Sequence, residues 1–437
     1  MLIFTYIAIF ALSFFLLFSD KAPISLRQIF LIFCLTFYAV AGWTQAEYGF
    51  EIAPMYQDLR TDDFIKANWI IIFSIVLYDF VYKNAYSTMH TNGVFIDHVY
   101  SAKNMQMFLA LTIVVFYLSW LNSFSIINII LRGGDGSRVE LSKTTGLLLN
   151  SIHFILLTIL FRYSMSDGKK KFIECILQLL FLLFCFPTSM SRLRLLPLYL
   201  PLLFLYFPVF TRVKRLFAFS LFGGTCFIFP VLSATRFQQS NFRNYLESIT
   251  YSFIGSFDSL DFDTYKTFVF VLSKNIITYG HQLMGSVFFW VPRILWPGKP
   301  EGSGHYISQL HDLGLGEFSN ISMNFLGEGY INFGFLGIVI FVVGLAYASA
   351  KFDSYFWVVK KGNIKDPIAL YYFTTMGYLF FLLRGDLLSG TAYYCGIVVY
   401  VFISDFICFH KTSSQVVQND PQPDLANTIE TSSHAAG

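Results

Sequence analysis

The chain has 437 residues, and its composition excludes an ordinary soluble protein. Charged residues make up 13% of it, about half of the roughly 25% typical of soluble chains, while 55% of the residues are hydrophobic. The 52 Phe and 26 Tyr bring more apolar surface than one aqueous core can bury. The net charge of +3 gives nucleic-acid binding no electrostatic support. Most of the chain is therefore expected to lie in lipid.

Apolar stretches of roughly the length that crosses a bilayer, about 20 residues, recur along the chain and predict about eleven helices. Hydrocarbon tolerates only helices and closed barrels, and these stretches lack the alternation of barrel strands. The predicted fold class is an all-α polytopic membrane protein. The stretches lie near residues 1–19, 27–44, 67–82, 105–131, 146–161, 172–190, 195–210, 216–235, 330–350, 367–383 and 388–409.

A long connection separates the predicted helices into two groups, about eight within residues 1–235 and about three within residues 330–411. The connection, residues 236–329, far exceeds ordinary loop length, which is typical of a functional loop. Its apolar pieces, Tyr265–Tyr279 and His281–Trp296, are too short to span a bilayer. They predict helices that lie on the membrane surface or dip into it.

Two features describe the ends of the chain. Residues 412–437 are polar without apolar periodicity and predict a disordered tail. One set of short loops carries about twice the Lys and Arg of the other set, which places the first set in the cytoplasm. The N-terminus then faces outward, the tail faces the cytoplasm, and the long connection lies outside.

The residues that bind metals are sparse. The six cysteines lie in apolar runs without C-x-x-C spacing, so neither a disulfide framework nor a cysteine metal site is expected. No His, Asp and Glu cluster has metal-ligand spacing. We expect no metal and no cofactor.

A group of arginines follows or precedes apolar helices on the predicted outer side. The guanidinium group is a planar fork of donors that matches phosphate oxygens. For any single arginine, an anchor at the membrane interface is the simpler explanation. The group as a whole favours a site for a lipid-linked diphosphate, because outer loops normally contain few cations. Its members are Arg192, Arg194, Arg236, Arg243, Arg293 and Arg384. An ion pair with Asp386 that closes a turn is an alternative role for Arg384.

The segment Trp290–Pro300 contains three prolines and a glycine, which predict a rigid turn that presents Arg293 and Lys299. Preset cations stabilise a developing anion with little reorganisation. His305 and His311 follow as candidate bases, with a solvated side chain as the alternative for each.

Glu328 is a further candidate base. Gly327 and Gly329 flank it, so a sugar is expected to approach its carboxylate closely. Taken alone, it is equally compatible with a solvated loop residue.

The pattern Pro-Arg-x-x-Trp-Pro-x-Lys-Pro (292–300), followed by Leu-Gly-Glu-x-Tyr-x-Asn-Phe-Gly (326–334) and an apolar helix, resembles bacterial oligosaccharide repeat-unit polymerases. These are the Wzy-type O-antigen or capsule polymerases. The large outer loop before the last three helices is similar too. The motif pair covers only residues 290–334.

The resemblance implies a GT-C-like fold in the bacterial inner membrane. The implied reaction transfers a growing glycan from undecaprenyl diphosphate to an incoming lipid-linked repeat unit at the periplasmic face, without a nucleotide sugar and without metal. The implied partners are the lipid-linked oligosaccharide, membrane lipids, a chain-length regulator and the pathway flippase. No nucleic acid is involved.

That chemistry gives each candidate residue an expected role. Cations stabilise the leaving diphosphate, a base takes the acceptor proton, and aromatic rings stack on sugars. We expect the catalytic residues to be Arg293, Arg384, Arg194, Arg236, His305 and Glu328. We expect the substrate-binding residues to be Lys299, Arg192, Arg243, His311, Trp290, Trp296 and Tyr306.

Three other functions compete with polymerisation. An O-antigen ligase has a similar fold and donor but a different loop pattern. A lipid-linked oligosaccharide flippase is usually built from repeated halves with broken helices or charges at mid-membrane, and no repeat is visible in this chain. A non-catalytic scaffold leaves the outer arginines unexplained.

Overall fold

The computed structural model of the protein describes residues 1–20, 22–47, 58–87, 97–130, 149–187, 189–190, 192–228, 257, 262–310 and 321–414. These residues are mostly helical, which confirms the coarse prediction of a helical membrane protein. Among them, five helices are long and apolar enough to cross a membrane: Leu26–Glu47, Thr61–Tyr86, Asn104–Leu121, Phe325–Val359 and Leu387–Cys408. Shorter apolar helices are Leu2–Phe18, His153–Ser164, Arg194–Tyr206 and Leu216–Phe227.

We number the described elements in chain order. The first group comprises α1 (Leu2–Phe18), α2 (Leu26–Glu47), α3 (Thr61–Ser87), β1 (Asp97–Ala102), α4 (Asn104–Leu121), α5 (Ile126–Ile130), α6 (His153–Ser164), α7 (Lys171–Phe184), α8 (Arg192–Tyr206), α9 (Val209–Arg212) and α10 (Leu216–Gly223). The second group comprises α11 (Thr264–Ser273), α12 (His281–Val287), α13 (Ser303–Leu310), α14 (Phe325–Ser354), α15 (Pro367–Arg384), α16 (Leu387–Cys408) and β2 (Phe409–Ser414).

Helix α2 lies inside the bundle, and every residue of its first part, Leu26–Phe33, is buried. Helix α3 packs along α14 and α1, and α8 packs along α15. The last pair is antiparallel, because Pro197 of α8 faces Gly377 of α15 while Phe204 faces Phe373. The start of α8 therefore lies at the same end of the bundle as the last residues of α15. We call this end, where α14 and α16 also begin, the site end.

The opposite end holds buried ion pairs, and we call it the ion-paired end. Arg162 donates to both carboxylate oxygens of Asp405 at 2.8 and 2.9 Å. Arg27 Nη2 lies 2.5 Å from Asp79 Oδ1. The first pair joins α6 to α16 and the second joins α2 to α3, so the charges fix the packing of the helix ends.

A buried carboxylate, Asp353, completes the ion-paired end. It accepts hydrogen bonds from the backbone N–H of Leu26 at 3.0 Å and from the hydroxyls of Tyr82 and Tyr372, each at 2.6 Å. Buried carboxylates are costly unless they are hydrogen-bonded, and these donors come from three separate helices. Asp353 therefore ties α2, α3 and α15 to α14.

Helix α14 is broken close to its beginning. Phe333 has φ −141° and ψ 25°, and Gly334 has φ 61°, a left-handed conformation that favours glycine. The break separates a short first part that contains Glu328 from a long second part. Backbone carbonyls just before the break lose their helical partners, and in a membrane they need replacements.

The chain between α11 and α12 supplies those replacements. The Thr278 N–H and hydroxyl donate to the carbonyl of Ile331 at 2.6 and 2.9 Å, and the Gly280 N–H donates to the carbonyl of Asn332 at 2.9 Å. The Asn332 side chain accepts from the Leu283 N–H at 2.8 Å. The Asn-Phe-Gly part of the motif thus marks a helix break that this connection stabilises.

Helix α11 corresponds to the first predicted surface helix, Tyr265–Tyr279, but it is buried from Thr264 to Leu272. The Tyr265 hydroxyl contacts the Tyr6 hydroxyl at 2.8 Å and donates to Asn68 at 2.7 Å. A helix on a membrane surface leaves one face exposed. Here α1 and α3 cover α11 and supply polar partners for the Tyr265 hydroxyl. Of the two placements expected for this segment, on the membrane surface or dipping into the membrane, its burial contradicts the first.

Two other local predictions need correction. The apolar stretch 105–131 forms two helices, α4 and α5, because the chain turns at Ser123 and Phe124, which have positive φ angles. The described residues also include one two-stranded sheet, in which β1 pairs antiparallel with β2. Strand β2 runs to Ser414, so the first residues of the predicted disordered tail are ordered; the rest of that tail lies outside the described residues.

Candidate functional site

Three segments that are far apart in the sequence meet at the site end, and Glu328 joins them. Its Oε2 accepts from the Ser303 hydroxyl at 2.8 Å, at the beginning of α13. Its Oε1 accepts from the backbone N–H of Leu387 at 3.0 Å, at the beginning of α16. The segments are the proline-rich turn with α13, the first part of α14, and the α15–α16 turn.

Close packing of backbone strengthens this junction. A Cβ at Gly302 would lie 2.7 Å from Asp386 Oδ1, and a Cβ at Gly285 would lie 2.9 Å from the Cβ of Pro300. Glycine at both positions lets α12, the proline-rich turn and the α15–α16 turn approach one another. Asp386 also accepts from the Ser389 N–H at 2.8 Å, so it caps the N-terminus of α16. Burial raises the pKa of Asp386.

Arg384 lies on the inner side of the junction and is largely buried. Its Nη2 is 4.0 Å from Asp263 Oδ1, and its carbonyl accepts from the Thr264 hydroxyl at 3.2 Å. Asp263 Oδ2 accepts from the Ser322 N–H at 3.0 Å. The nearby acid is therefore Asp263, just before α11, whereas Asp386, the partner considered from sequence, caps α16.

The proline-rich turn is rigid for a reason that the sequence analysis missed. Lys299 is only 4% exposed, and its ammonium group donates to the carbonyls of Phe289 and Val291 at 2.5 and 3.0 Å. Burial, followed by the positive charge of Arg293, lowers the pKa of Lys299. These hydrogen bonds stabilise the turn, and the role expected for Lys299 in binding substrate stays a prediction.

Arg293 projects from this turn and remains accessible. Its Nη1 donates to the carbonyl of Lys299 at 3.0 Å, and its Nη2 lies 3.4 Å from Glu301 Oε1. Glu301 Oε2 lies 2.5 Å from His305 Nε2, a close contact that lacks hydrogen-bond geometry. One carboxylate therefore holds a guanidinium and an imidazole side by side. All three side chains are partly exposed, unlike Glu328.

Glu328 itself lies in the interior of the protein. It is 1% exposed, and both carboxylate oxygens already accept hydrogen bonds. A Cβ at Gly329 would meet the carbonyl of Gly337 at 2.9 Å, and one at Gly327 would collide with Met323. The glycines thus admit neighbouring parts of the protein rather than a sugar. Glu328 therefore joins the three segments and is not accessible in this arrangement; its expected catalytic role stays a prediction.

The remaining predicted residues are dispersed. Arg194 lies at the start of α8, with its guanidinium carbon 5.8 Å from the centre of the Tyr393 ring, and Arg192 begins the same helix. Trp290 is 65% exposed, and Trp296 packs edge-on against Phe288. Tyr306 of α13 is half-buried against the core. Arg236, Arg243 and His311 lie outside the described residues.

Sequence reasoning missed two acids of the site, Glu301 and Asp263. Glu301 has a usable signal, because it precedes His305 by four residues, a spacing that brings two side chains together around the start of a helix. Asp263 has no such signal, since its proximity to Arg384 depends on how a buried helix packs. Within the described ranges, no group of three His, Cys, Asp or Glu side chains is placed to hold a metal ion.

Comparisons with known proteins give no further assignment: no family model matches the chain, and neither a curated protein nor a solved structure matches it significantly. The residues of the site end differ in exposure. Glu328, Asp386 and Arg384 are buried at helix ends, and Arg293, Glu301 and His305 are partly exposed.

Proposed function

We propose that this protein is a membrane glycosyltransferase that joins undecaprenyl-diphosphate-linked oligosaccharide repeat units into an O-antigen or a capsular polysaccharide. The observation that carries the proposal is the bridge made by Glu301, which holds a phosphate-matching guanidinium 3.4 Å away and an imidazole 2.5 Å away. Transfer from a lipid diphosphate requires both groups, one for the leaving anion and one for the acceptor proton.

The proposed reaction is a single displacement. His305 takes the proton of the acceptor hydroxyl, the hydroxyl oxygen bonds to C1 of the donor sugar, and the bond from C1 to the diphosphate oxygen breaks with its electron pair on that oxygen. Arg293 stabilises the charge on the leaving diphosphate. Glu301 stabilises the imidazolium that forms and orients both neighbours, as carboxylates do for ligating histidines.

The buried layer has a supporting role in this scheme. Glu328 connects α13, α14 and α16. Gly302, the residue after Glu301, packs closely against Asp386. Displacements of about 1 Å in a catalytic group cost about 100-fold in rate, so such packing determines activity. Arg384 beside Asp263 adds a positive charge beneath the reacting groups.

The wider architecture is part of the same proposal. We infer about eleven transmembrane helices with a GT-C-like arrangement in the bacterial inner membrane. The site end faces the periplasm, the N-terminus is periplasmic, and the C-terminus is cytoplasmic. Support comes from the distribution of Lys and Arg, because Lys169, Lys170 and Lys171 follow the ion-paired end of α6.

The test is the glycan profile of a strain that lacks the protein. Polymerase function predicts lipid A that carries single repeat units, because ligation continues without chain growth. Bare lipid A core would favour a ligase or a flippase instead. Loss of a capsule alone, with normal lipid A glycans, would assign the protein to capsule synthesis.

A lipid-linked oligosaccharide flippase is the second candidate, and the break in α14 favours it. Broken membrane helices commonly form transport sites with their unpaired backbone groups. Here the carbonyls of Ile331 and Asn332 are already bonded to Thr278 and Gly280, so these groups do not face a transport path. The transferase proposal therefore explains more of the site end.

A further inference from the structure

A long apolar groove lies on the opposite side of α8 from the core of the bundle, between α6, α7 and α8. Its volume is about 780 Å³. Along α8 it runs from Leu195 to Phe207, and Leu160 of α6 forms part of its floor. At 1.5 Å per residue this is roughly 18 Å, about half of the 30 Å hydrocarbon core of a bilayer. The groove thus has the length of one leaflet, which is the span of a single acyl chain.

Polar side chains line the groove towards its end at Tyr206, and Tyr199 is a further one midway. The Tyr206 hydroxyl is 2.9 Å from the Gln178 amide nitrogen and 3.1 Å from the Ser164 hydroxyl. Tyr199, midway along the groove, donates to the carbonyl of Cys185 and is satisfied within the protein. Donors for the polar part of a bound lipid therefore lie at the ion-paired end, away from the site end.

Exposed cations surround this polar end. The Lys169 ammonium lies 2.5 Å from the carbonyl of Ser164, and Lys170 and Lys171 follow it. Phe207, the last residue of the groove wall, is followed by Arg212 and Lys214. These five exposed cations outnumber the two acids of the same segments, Asp167 and Glu174. Basic pockets between membrane helices attract anionic lipid head groups.

We propose that the groove between α6, α7 and α8 binds an anionic phospholipid. One acyl chain lies along α8 between Leu195 and Phe207, and the phosphate lies among Lys170, Lys171, Arg212 and Lys214. The charge of these side chains selects an anionic lipid over a zwitterionic one. The site is distinct from the Glu301 bridge and does not depend on the proposed glycosyltransferase function.

The test uses the full chain in bilayer discs made of phosphatidylcholine and phosphatidylglycerol in equal amounts. Native mass spectrometry then measures which lipid stays bound after release from the disc. We expect the unmodified protein to retain phosphatidylglycerol. Each cation near the head group contributes roughly fivefold, so the double variant Lys170→Gln/Lys171→Gln is expected to lose retention by at least about tenfold.

Two matched controls separate charge from fold. The double variant Arg60→Gln/Lys66→Gln removes two exposed cations at the start of α3, at the site end, and is expected to retain phosphatidylglycerol normally. Leu203→Trp fills the groove and is expected to abolish retention, whereas Val399→Trp, on the exposed face of α16, is expected to leave it unchanged.

Three results would overturn the proposal. Equal retention of phosphatidylcholine by the unmodified protein would show that charge does not select the lipid. Unchanged retention in Lys170→Gln/Lys171→Gln would show the same for the named cations. Unchanged retention in Leu203→Trp would place the lipid elsewhere. None of these measurements involves glycan transfer, so failure here leaves the glycosyltransferase proposal to its own test.

Discussion

The two ends of the helical bundle treat buried charge in different ways. At the ion-paired end, Arg162 meets Asp405 at 2.8 Å, and Arg27 meets Asp79 at 2.5 Å. At the site end, the buried Arg384 and Asp263 lie farther apart, at 4.0 Å, and the buried Glu328 has a neutral hydroxyl and a backbone N–H as its described partners. Among the described residues, no basic side chain lies within ion-pair distance of Glu328.

Charged side chains at the ion-paired end pair with one another between helices, whereas Arg293 at the site end stays accessible to a ligand. Closed ion pairs at one end cancel within the protein and serve packing. At the other end, the nearest exposed guanidinium, Arg293, shares one carboxylate with His305 and stays accessible. The first arrangement predicts effects on stability, and the second predicts effects on activity.

The largest expected effect is on stability at the ion-paired end. Replacing Arg162 with Met leaves the partly buried Asp405 without its partner, which costs up to about 3–5 kcal/mol. We expect the variant to accumulate poorly and to unfold at lower denaturant concentration in detergent. The double variant Arg162→Met/Asp405→Leu removes both charges and is expected to recover most of the loss. Equal instability of the single and double variants would contradict this account of the pair.

The next effect concerns activity at the site end. Glu301→Gln removes the charge that positions Arg293 and His305. We expect the rate of polymerisation to fall by about 10–100-fold, as for other carboxylates that support a functional side chain. Protein level should stay normal. The measurement is the rate of chain growth in isolated membranes. Glu174→Gln, which removes a surface carboxylate beside Lys169, is the matched control and should change little.

Glu328 allows positioning and catalysis to be distinguished. Glu328→Ala leaves the buried N–H of Leu387 without an acceptor, which costs about 1–3 kcal/mol. Glu328→Gln keeps an acceptor for Leu387 and can donate to Ser303, so both stability and activity should be nearly normal. Thermal unfolding and chain growth are measured together. A stable but inactive Glu328→Gln variant would instead make Glu328 the base.

The smallest effect is a pH dependence at Asp386. Burial raises its pKa, so the folded protein holds this proton more tightly than the unfolded chain does. Stability therefore falls as the pH rises from below the ordinary aspartate pKa to above the raised one. Asn keeps the helix cap without the charge, so Asp386→Asn should be more stable than the unmodified protein at pH 7 and equal to it at acidic pH. An advantage that persists at acidic pH would point to another cause.

The sequence predicts the long membrane helices of this protein better than the contacts between its segments. Apolar runs indicate α3, α14 and α16 because a bilayer demands a minimum length of apolar helix. The two motifs mark the proline-rich turn and the first part of α14. The segment that follows the turn contacts Glu328 of α14 through Ser303. Buried α11 could not be predicted, because an apolar stretch of ten residues looks the same on a membrane surface and inside a bundle.

Individual roles within the site were harder to predict than its location. Lys299 and Glu328 have residue types that suit catalysis, but their hydrogen bonds to Phe289, Val291 and Leu387 depend on backbone folding that no spacing reveals. The spacing of Glu301 and His305 was visible in the sequence. The contact of Arg293 with the same Glu301 carboxylate depends on the fold of the proline-rich turn, which the spacing does not reveal.

The most direct test is the glycan chain-length ladder of a deletion strain that expresses Arg293→Ala or Arg384→Ala. We expect Arg293→Ala to insert at a normal level and to produce single repeat units without long chains, because the leaving diphosphate loses its stabilising charge. Arg384→Ala also leaves the buried Asp263 without this partner, so its protein level is measured alongside, and Arg384→Ala/Asp263→Asn separates a loss of activity from a loss of stability. Lys361→Ala, an exposed cation near the ion-paired end, serves as the control and should restore the full ladder. Normal ladders from both arginine variants would contradict the assignment of the site end as the catalytic site.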